Sequence, residues 1–567
     1  MKGYGKECVL GPLFKLIEAT LELIVPLVIA AIIDNGISVG DRGYVVRMCL
    51  LLVVLGAVGL GFSATAQYFS AKASVGFVSR IRFALFRHLG TLSYTEIDTL
   101  GTSTMITRLT ADANQIQTGV NISLRLLLRS PFVVFGAMIM AFTIDVHSAL
   151  TFLAVIPALS IVVFGIMFIS MPLYKKSQSR VDSVMSKTRE NLSGARVVRA
   201  FCRENEEIRE FDERNTALAA SQKAVGAISA LTNPLTYVLI NLAILWLIHV
   251  GAVRVDGGIL TQGMVIALYN YMSQILVELI KLANMIITIS KSLASAARIQ
   301  SVLEITPSIK GGSVTKGGDG AAVEFDSVTL TYKSSGAPSV EAISFKAERG
   351  DTVGIIGGTG SGKTSLINLI PRFYDATEGE VRLFGIPVKE YDTDTLRNMI
   401  GVVPQKAVLF KGTVRENIRW GKPDATDAEI WRALEIAQAA DVVREKGGLD
   451  FMIEQGGRNL SGGQKQRLTI ARAVVSSPEI LILDDSASAL DFATDARLRM
   501  AIKDMQGAST VFIVSQRASS IMYADKIIVL DEGEAVGIGT HEELLSACPV
   551  YSEIYHSQFE KGGASIG

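Results

Sequence analysis

Apolar residues are unevenly distributed along the chain. They gather into runs near 13–34, 48–71, 125–145, 148–170, 228–250 and 262–288. Each is long enough to cross a hydrocarbon layer of about 30 Å as a helix. The second to fifth runs are the stronger span candidates. The first and last carry ionisable residues, Lys15, Glu18 and Glu22 in one and Glu278 and Lys281 in the other. The first run follows basic residues but is long and charged, so it reads as a span that is retained rather than a cleaved signal. Two polar intervals, 72–121 and 174–225, separate spans two and three and spans four and five. Ser177–Arg199 contains no proline and has helical charge patterning. The intervals are therefore expected to continue the membrane helices into water, joined by turns near Tyr94–Gly101 and Phe201–Glu206.

Charge sets the expected orientation. Lys72, Arg80, Arg82, Arg87 and Arg108 lie in the first interval, and Lys175, Lys176, Arg180, Lys187, Arg189, Arg196, Arg199 and Arg203 in the second. The opposite connections hold little more than Arg42 and Arg254. Basic residues stay on the cytoplasmic side, so both intervals, both termini and everything after the sixth span are expected in the cytoplasm, with the spans in the cytoplasmic (inner) membrane. Ionisable groups in a span face a water-filled cavity or a partner. Glu18, Glu22, Glu278 and Lys281 could line a translocation path, or instead form mutual salt bridges or snorkel toward an interface.

A Gly- and Ser-rich stretch with one proline, Thr306–Gly320, marks a linker. Strand-like alternation begins at Ala322-Val323-Glu324-Phe325. The expected division is a transmembrane domain over 1–305, a linker over 306–320 and a soluble α/β domain over 321–567. The 567 residues allow this. Charged residues, 19% of the chain, fall below the soluble norm of about 25%, as membrane spans require. Formal net charge is zero, which gives no electrostatic case for a nucleic-acid partner. The cysteines, Cys8, Cys49, Cys202 and Cys548, are far apart and form neither a metal-ligand spacing nor a disulfide framework.

The soluble part carries the chemistry. Gly357-Gly358-Thr359-Gly360-Ser361-Gly362-Lys363-Thr364 fits G-x-x-x-x-G-K-[ST], the phosphate-binding P-loop. It follows the strand-like run Thr352–Ile356 and precedes the helix-like run Ser365–Ile370, which is the context the motif needs. Its glycines let backbone N–H groups turn toward phosphates. Lys363 would reach the outer phosphates, and the Thr364 hydroxyl would ligate Mg²⁺. The apolar run Ile480–Leu483 ends in Asp484. A carboxylate there, paired with a P-loop, is the Walker B arrangement that holds Mg²⁺. Leu460-Ser461-Gly462-Gly463-Gln464, just upstream, places a serine and two glycines before a helix and makes a second anion site.

With that last motif shortly before Walker B, the chain resembles the ABC transporter family, whose signature it matches. Six spans with two long cytoplasmic intervals, ahead of one nucleotide-binding domain, look like a type I exporter half-transporter. The resemblance implies more. Tyr332 stands where the family stacks an aromatic on adenine. Gln405, in Val402-Val403-Pro404-Gln405, matches the glutamine that contacts Mg²⁺ and the attacking water. Ser488-Ala489-Leu490-Asp491 matches the D-loop. The turns near Tyr94–Gly101 and Phe201–Glu206 match the coupling helices. ATP is held by the P-loop and Walker residues of one domain and the signature of another, so a second half-transporter subunit is required.

Two positions depart from the pattern. The residue after the Walker B aspartate, normally a glutamate that orients water, is Asp485. The switch histidine is replaced by Gln516. Asp is shorter by one methylene, and a misplacement of about 1 Å can cost on the order of 10²-fold in rate. Glutamine can donate a hydrogen bond to the γ-phosphate but cannot become a cation. These changes, with an intact signature, resemble the degenerate-site subunit of bacterial heterodimeric multidrug exporters. Gly456-Gly457-Arg458-Asn459 and the C-terminal tail resemble them too. The expected function is ATP-driven export of hydrophobic or amphipathic compounds by a heterodimer. A slow homodimer, or an ATP-regulated membrane protein without pumping, is the alternative.

Overall fold

The computed structural model describes residues 3–333, 335–486, 490–505 and 509–559. Ser488 and Ala489 of the expected D-loop lie outside them, as does the end of the C-terminal tail. The chain divides into two compact units, one of 1–90 with 103–304 and the other of 91–102 with 305–567.

The first unit is helical. Among the described residues, six helices are long and apolar enough to cross a membrane: Gly5–Ile37, Arg42–Leu89, Thr102–Ile144, Val146–Ser193, Glu204–Asp256 and Gln262–Leu303. In lipid the backbone must satisfy itself, which a helix does within one segment. The second and fourth each run 48 residues. At 1.5 Å per residue that is about 72 Å, far more than a bilayer core, so each continues beyond the membrane. The core uses small residues where helices cross, with Ala19, Ala137, Ala149 and Ala267 against Phe152, Leu159, Tyr271 and Met272. Small side chains allow close backbone approach. The Tyr271 hydroxyl donates to the Leu23 carbonyl at 2.6 Å.

The intramembrane charges are paired. Lys15 pairs with Glu18, and Arg129 bridges Glu22 and Glu278, the latter at 2.6 Å. Lys281 pairs with Glu278 at 2.9 Å, and the Ser130 hydroxyl donates to Glu278 at 2.7 Å. The salt-bridge expectation holds for Glu278 and Lys281. The partner of Glu22 is Arg129 on the third span.

Both water-side connections contain short helices rather than bare turns. Tyr94–Leu100 is opened by a reciprocal cap between Ser93 and Glu96 and closed by Gly101 at φ 73°. The second connection starts earlier than expected. The fourth helix stops at Gly194, Ala195–Ala200 forms a short helix, and the fifth begins at Glu204. Glu204, Glu206 and Glu207 occupy its first turn, where carboxylates meet the positive end of the helix dipole. The connection therefore has two breaks, one at Gly194 and one at Phe201–Arg203, the latter inside the expected turn near Phe201–Glu206.

The second unit is built on sheets. The strands are β1 Val323–Leu330, β2 Val340–Ala347, β3 Thr352–Gly357, β4 Glu378–Leu383, β5 Ile386–Pro387, β6 Ile400–Val403, β7 Gly412–Thr413, β8 Met452–Ile453, β9 Ile480–Asp484, β10 Thr510–Val514, β11 Lys526–Asp531 and β12 Glu534–Gly539. The main sheet runs β12-β11-β3-β10-β9-β6. All its neighbours are parallel except β12 on β11. A parallel sheet is covered on both faces, so its strands read as continuous apolar runs. A smaller sheet, β2-β1-β4-β5, is antiparallel. The Gly- and Ser-rich stretch belongs to this unit rather than spanning a gap. The Gly312 N–H donates to the Tyr391 carbonyl at 2.8 Å, and the Asp392 N–H donates to the Val314 carbonyl at 2.9 Å.

Candidate functional site

Strands β3, β10, β9 and β6 are adjacent and parallel, so their carboxyl ends share one edge, where open α/β sheets bind ligands. Each strand delivers one expected residue or motif to it. The P-loop follows β3, Asp484 ends β9 with Asp485 next, Gln516 follows β10, and Gln405 follows β6. Together they line a pocket of about 240 Å³. It takes in Thr359, Gly360, Ser361, Gly362, Lys363 and Thr364 of the loop, all four residues just named, and Ser339 and Ser515 beside them.

Glycine is obligatory in two places. Gly362 sits at φ 92°, and a Cβ there would lie 2.3 Å from the Ser339 carbonyl oxygen. A Cβ on Gly357 would lie 2.0 Å from the Leu530 carbonyl oxygen. The loop closes around Lys363, whose ammonium donates to the Gly357 carbonyl at 3.0 Å and to the Gly358 carbonyl. It also lies 3.4 Å from the Ser361 hydroxyl. Burial lowers the lysine pKa, opposed by the charges of Asp485 and Asp484. These carbonyls hold the ammonium over the loop, where a polyphosphate could take it up.

The Thr364 hydroxyl lies 3.1 and 3.3 Å from the two Asp484 carboxylate oxygens. Burial pushes the Asp484 carboxyl up, against the lowering effect of the Thr364 hydrogen bond. A buried carboxylate beside a hydroxyl is a hard oxygen set, and it fits Mg²⁺ shared with phosphate oxygens. The Gln405 amide donates to Asp485 at 3.4 Å. Asp485 is held at φ 44°, a left-handed conformation that Asp tolerates better than most residues. Its N–H donates to the Val514 carbonyl at 3.0 Å.

Tyr332, Gly357 and Gly358 do not line the pocket itself. The Tyr332 hydroxyl donates to the Ser365 hydroxyl, one residue past the P-loop, at 3.0 Å. Its ring meets Tyr374 edge-on at 5.0 Å and 87°. Tyr374 was not foreseen from sequence. Its hydroxyl donates to Asp98 in the short helix Tyr94–Leu100 at 2.6 Å. Burial and the Asp98 carboxylate both raise its pKa, so it remains a donor. Tyr94 packs on Phe373 with ring centroids 4.7 Å apart.

The signature stands elsewhere. Ser461 caps the 13-residue helix Gly462–Val474 and forms a reciprocal capping box with Gln464. The two hydrogen bonds measure 3.1 and 3.3 Å. Ser461 and Gly462 are exposed, and neither they nor Gly463 or Gln464 lines the P-loop pocket. One chain thus presents two separate glycine-rich elements, the P-loop in the pocket and the Ser461-capped helix start outside it.

Comparison with known proteins gives the family. Residues 8–279 match the ABC transporter transmembrane region, and residues 340–488 match the ABC transporter domain. The chain is 39% identical to the uncharacterized ABC transporter ATP-binding protein Rv1273c of Mycobacterium tuberculosis, over 98% of this chain and 97% of that protein. It is 34% identical to the probable multidrug resistance ABC transporter ATP-binding/permease protein YheI of Bacillus subtilis, over 85% and 84%. A solved structure of a bacterial Atm1-family ABC exporter with ATP bound shares its fold at a TM-score of 0.81, with 23% identity and 98% of each chain covered. Six apolar helices followed by a P-loop domain are thus a known combination: the chain is a multi-pass membrane protein of the ABC transporter family, with an exporter fold and an ATP-binding domain.

Proposed function

We propose that this chain is one half of a heterodimeric exporter in the cytoplasmic membrane, with its ATP-binding unit and both termini in the cytoplasm. It moves hydrophobic or amphipathic compounds, a class supported by the relative named for multidrug resistance. Its own ATP site binds MgATP and hydrolyses it poorly. The observation that carries the reading is the pairing of Asp485 and Gln516 at one pocket with an intact P-loop. Lys363 releases its loop carbonyls to bind the outer phosphates, while glycine N–H groups cradle the rest. Thr364 and Asp484 would hold Mg²⁺, which would supply charge neutralisation to the bound phosphates. Asp485 and Gln405 face the place where water would attack, but the shorter carboxylate orients it badly. Tyr332 stacks on the adenine.

The exposed Ser461–Gln464 element completes the partner's site. Closure of the two domains on ATP, and reopening after hydrolysis, would drive alternating access through the short water-side helices. The test is the ATPase rate of the full-length chain in lipid nanodiscs, alone and with a half-transporter bearing Glu and His at the matching positions. The partner should raise the rate by at least about tenfold. A fast, partner-independent rate would favour a homodimer.

A further inference from the structure

The C-terminal helix Pro549–Phe559 reaches back to the loop after β10, which carries Gln516. It is fastened to the domain by Tyr551, fully buried among Ile521, Ile527 and Leu544. His541 Nδ1 lies 2.8 Å from the Tyr551 hydroxyl. Near the end of this helix, the Gln558 carboxamide engages the loop after β10 twice. Its Nε2 donates to the Gln516 carbonyl at 2.8 Å, and its Oε1 accepts from the Ala518 N–H at 2.9 Å. An amide placed this way does what a neighbouring strand would do, taking up a backbone acceptor and a backbone donor together.

The rest of the loop backbone is held as well. The Ser515 N–H donates to the Ile355 carbonyl at 3.1 Å. The Arg517 N–H donates to the Ser515 hydroxyl at 3.0 Å. Gln516, carried on this fixed backbone, lines the pocket. Ala518 is fully buried, so removing the carboxamide withdraws the acceptor that its N–H uses, and an unsatisfied buried donor is costly.

We propose that Gln558 is a positioning residue for nucleotide recognition. It fixes residues 516–518 so that the Gln516 amide meets the outermost phosphate, and so makes the C-terminal helix part of how the pocket distinguishes a triphosphate from a diphosphate. The inference rests on the assignment of Gln516 to the γ-phosphate.

The test is binding of fluorescent ATP and ADP analogues, with Mg²⁺, to the full-length chain in nanodiscs. Gln516→Ala should lower the ATP-over-ADP preference roughly three- to tenfold, as loss of one hydrogen bond does. Gln558→Ala should lower it comparably and leave ADP affinity unchanged. The double variant should be no worse than Gln516→Ala, because both act through one contact. Gln558→Glu keeps the acceptor for Ala518, and hence the local fold, but repels the Gln516 carbonyl; it should show the same loss of preference. A wild-type preference in both Gln558 variants, or an equal loss of ATP and ADP binding, would overturn the inference while leaving the Gln516 assignment intact. An unchanged preference in Gln516→Ala would remove that assignment, and the inference with it.

Discussion

The proposed weak hydrolysis at this chain's own site rests on one methylene, missing at Asp485, and one ring, missing at Gln516. Asp485 stands beside Gln405 at 3.4 Å, within the same pocket as Gln516, Lys363 and Thr364. Restoring reach and charge with Asp485→Glu and Gln516→His should raise hydrolysis at this chain's own site by at least about tenfold. Single-turnover hydrolysis with the partner's site inactivated would measure it. Lys363→Ala removes a charge-assisted contact and should weaken binding of an ATP analogue about ten- to a hundredfold. Equilibrium binding to the full-length chain checks that, and unchanged affinity would remove the lysine from the site. The P-loop, Asp484 and Ser461–Gln464 were legible in the sequence because their chemistry depends on fixed local spacing. Ser339, Tyr374 and Gln558 were not, because each reaches the site from a distant segment through tertiary packing. Arg129 had only a faint signal, a basic residue within an apolar run.

At the scale of elements, the short helix Tyr94–Leu100 is tied to the ATP-binding unit through Tyr374 and Asp98, and Tyr374 in turn packs on Tyr332. That chain of contacts joins the proposed adenine-stacking ring to the proposed coupling helix. Tyr374→Phe keeps the ring packing and deletes only the 2.6 Å hydrogen bond. ATP affinity should stay constant, while dye transported per ATP hydrolysed by the reconstituted complex should fall roughly two- to tenfold. Gly362→Ala should be severely destabilising for the loop, since its Cβ would lie 2.3 Å from a backbone oxygen. Loss of nucleotide protection in a thermal melt would report it. The six helices were legible from apolar run length alone. The second water-side connection was legible in part: the expected turn near Phe201–Glu206 takes in the non-helical Phe201–Arg203, whereas the earlier break at Gly194 and the short helix Ala195–Ala200 had no signal beyond a single glycine. The Gly- and Ser-rich stretch looked like a spacer, yet its backbone donates to and accepts from residues 390–392. Glycine there serves close approach: a Cβ on Gly312 would lie 2.0 Å from the Glu390 carbonyl oxygen.

At the scale of the whole molecule, the signature does not line the P-loop pocket, although both belong to one compact unit. Ser461 and Gly462 are exposed on a capped helix, and the proposal gives them to a second chain. The roles of the two elements are then unequal, and two variants separate them. In the complex reconstituted with the partner half-transporter, Ser461→Ala with Gly463→Asp should lower steady-state ATPase by about a hundredfold, because the donors to the partner-bound γ-phosphate are lost and a carboxylate replaces them. Asp485→Asn should change it little, because this chain's own site adds little to turnover. The decisive measurement is the ATPase rate of these two complexes side by side. The account predicts near-abolition in the first and near-wild-type turnover in the second; equal damage from both, or retained activity in the signature variant, would contradict it.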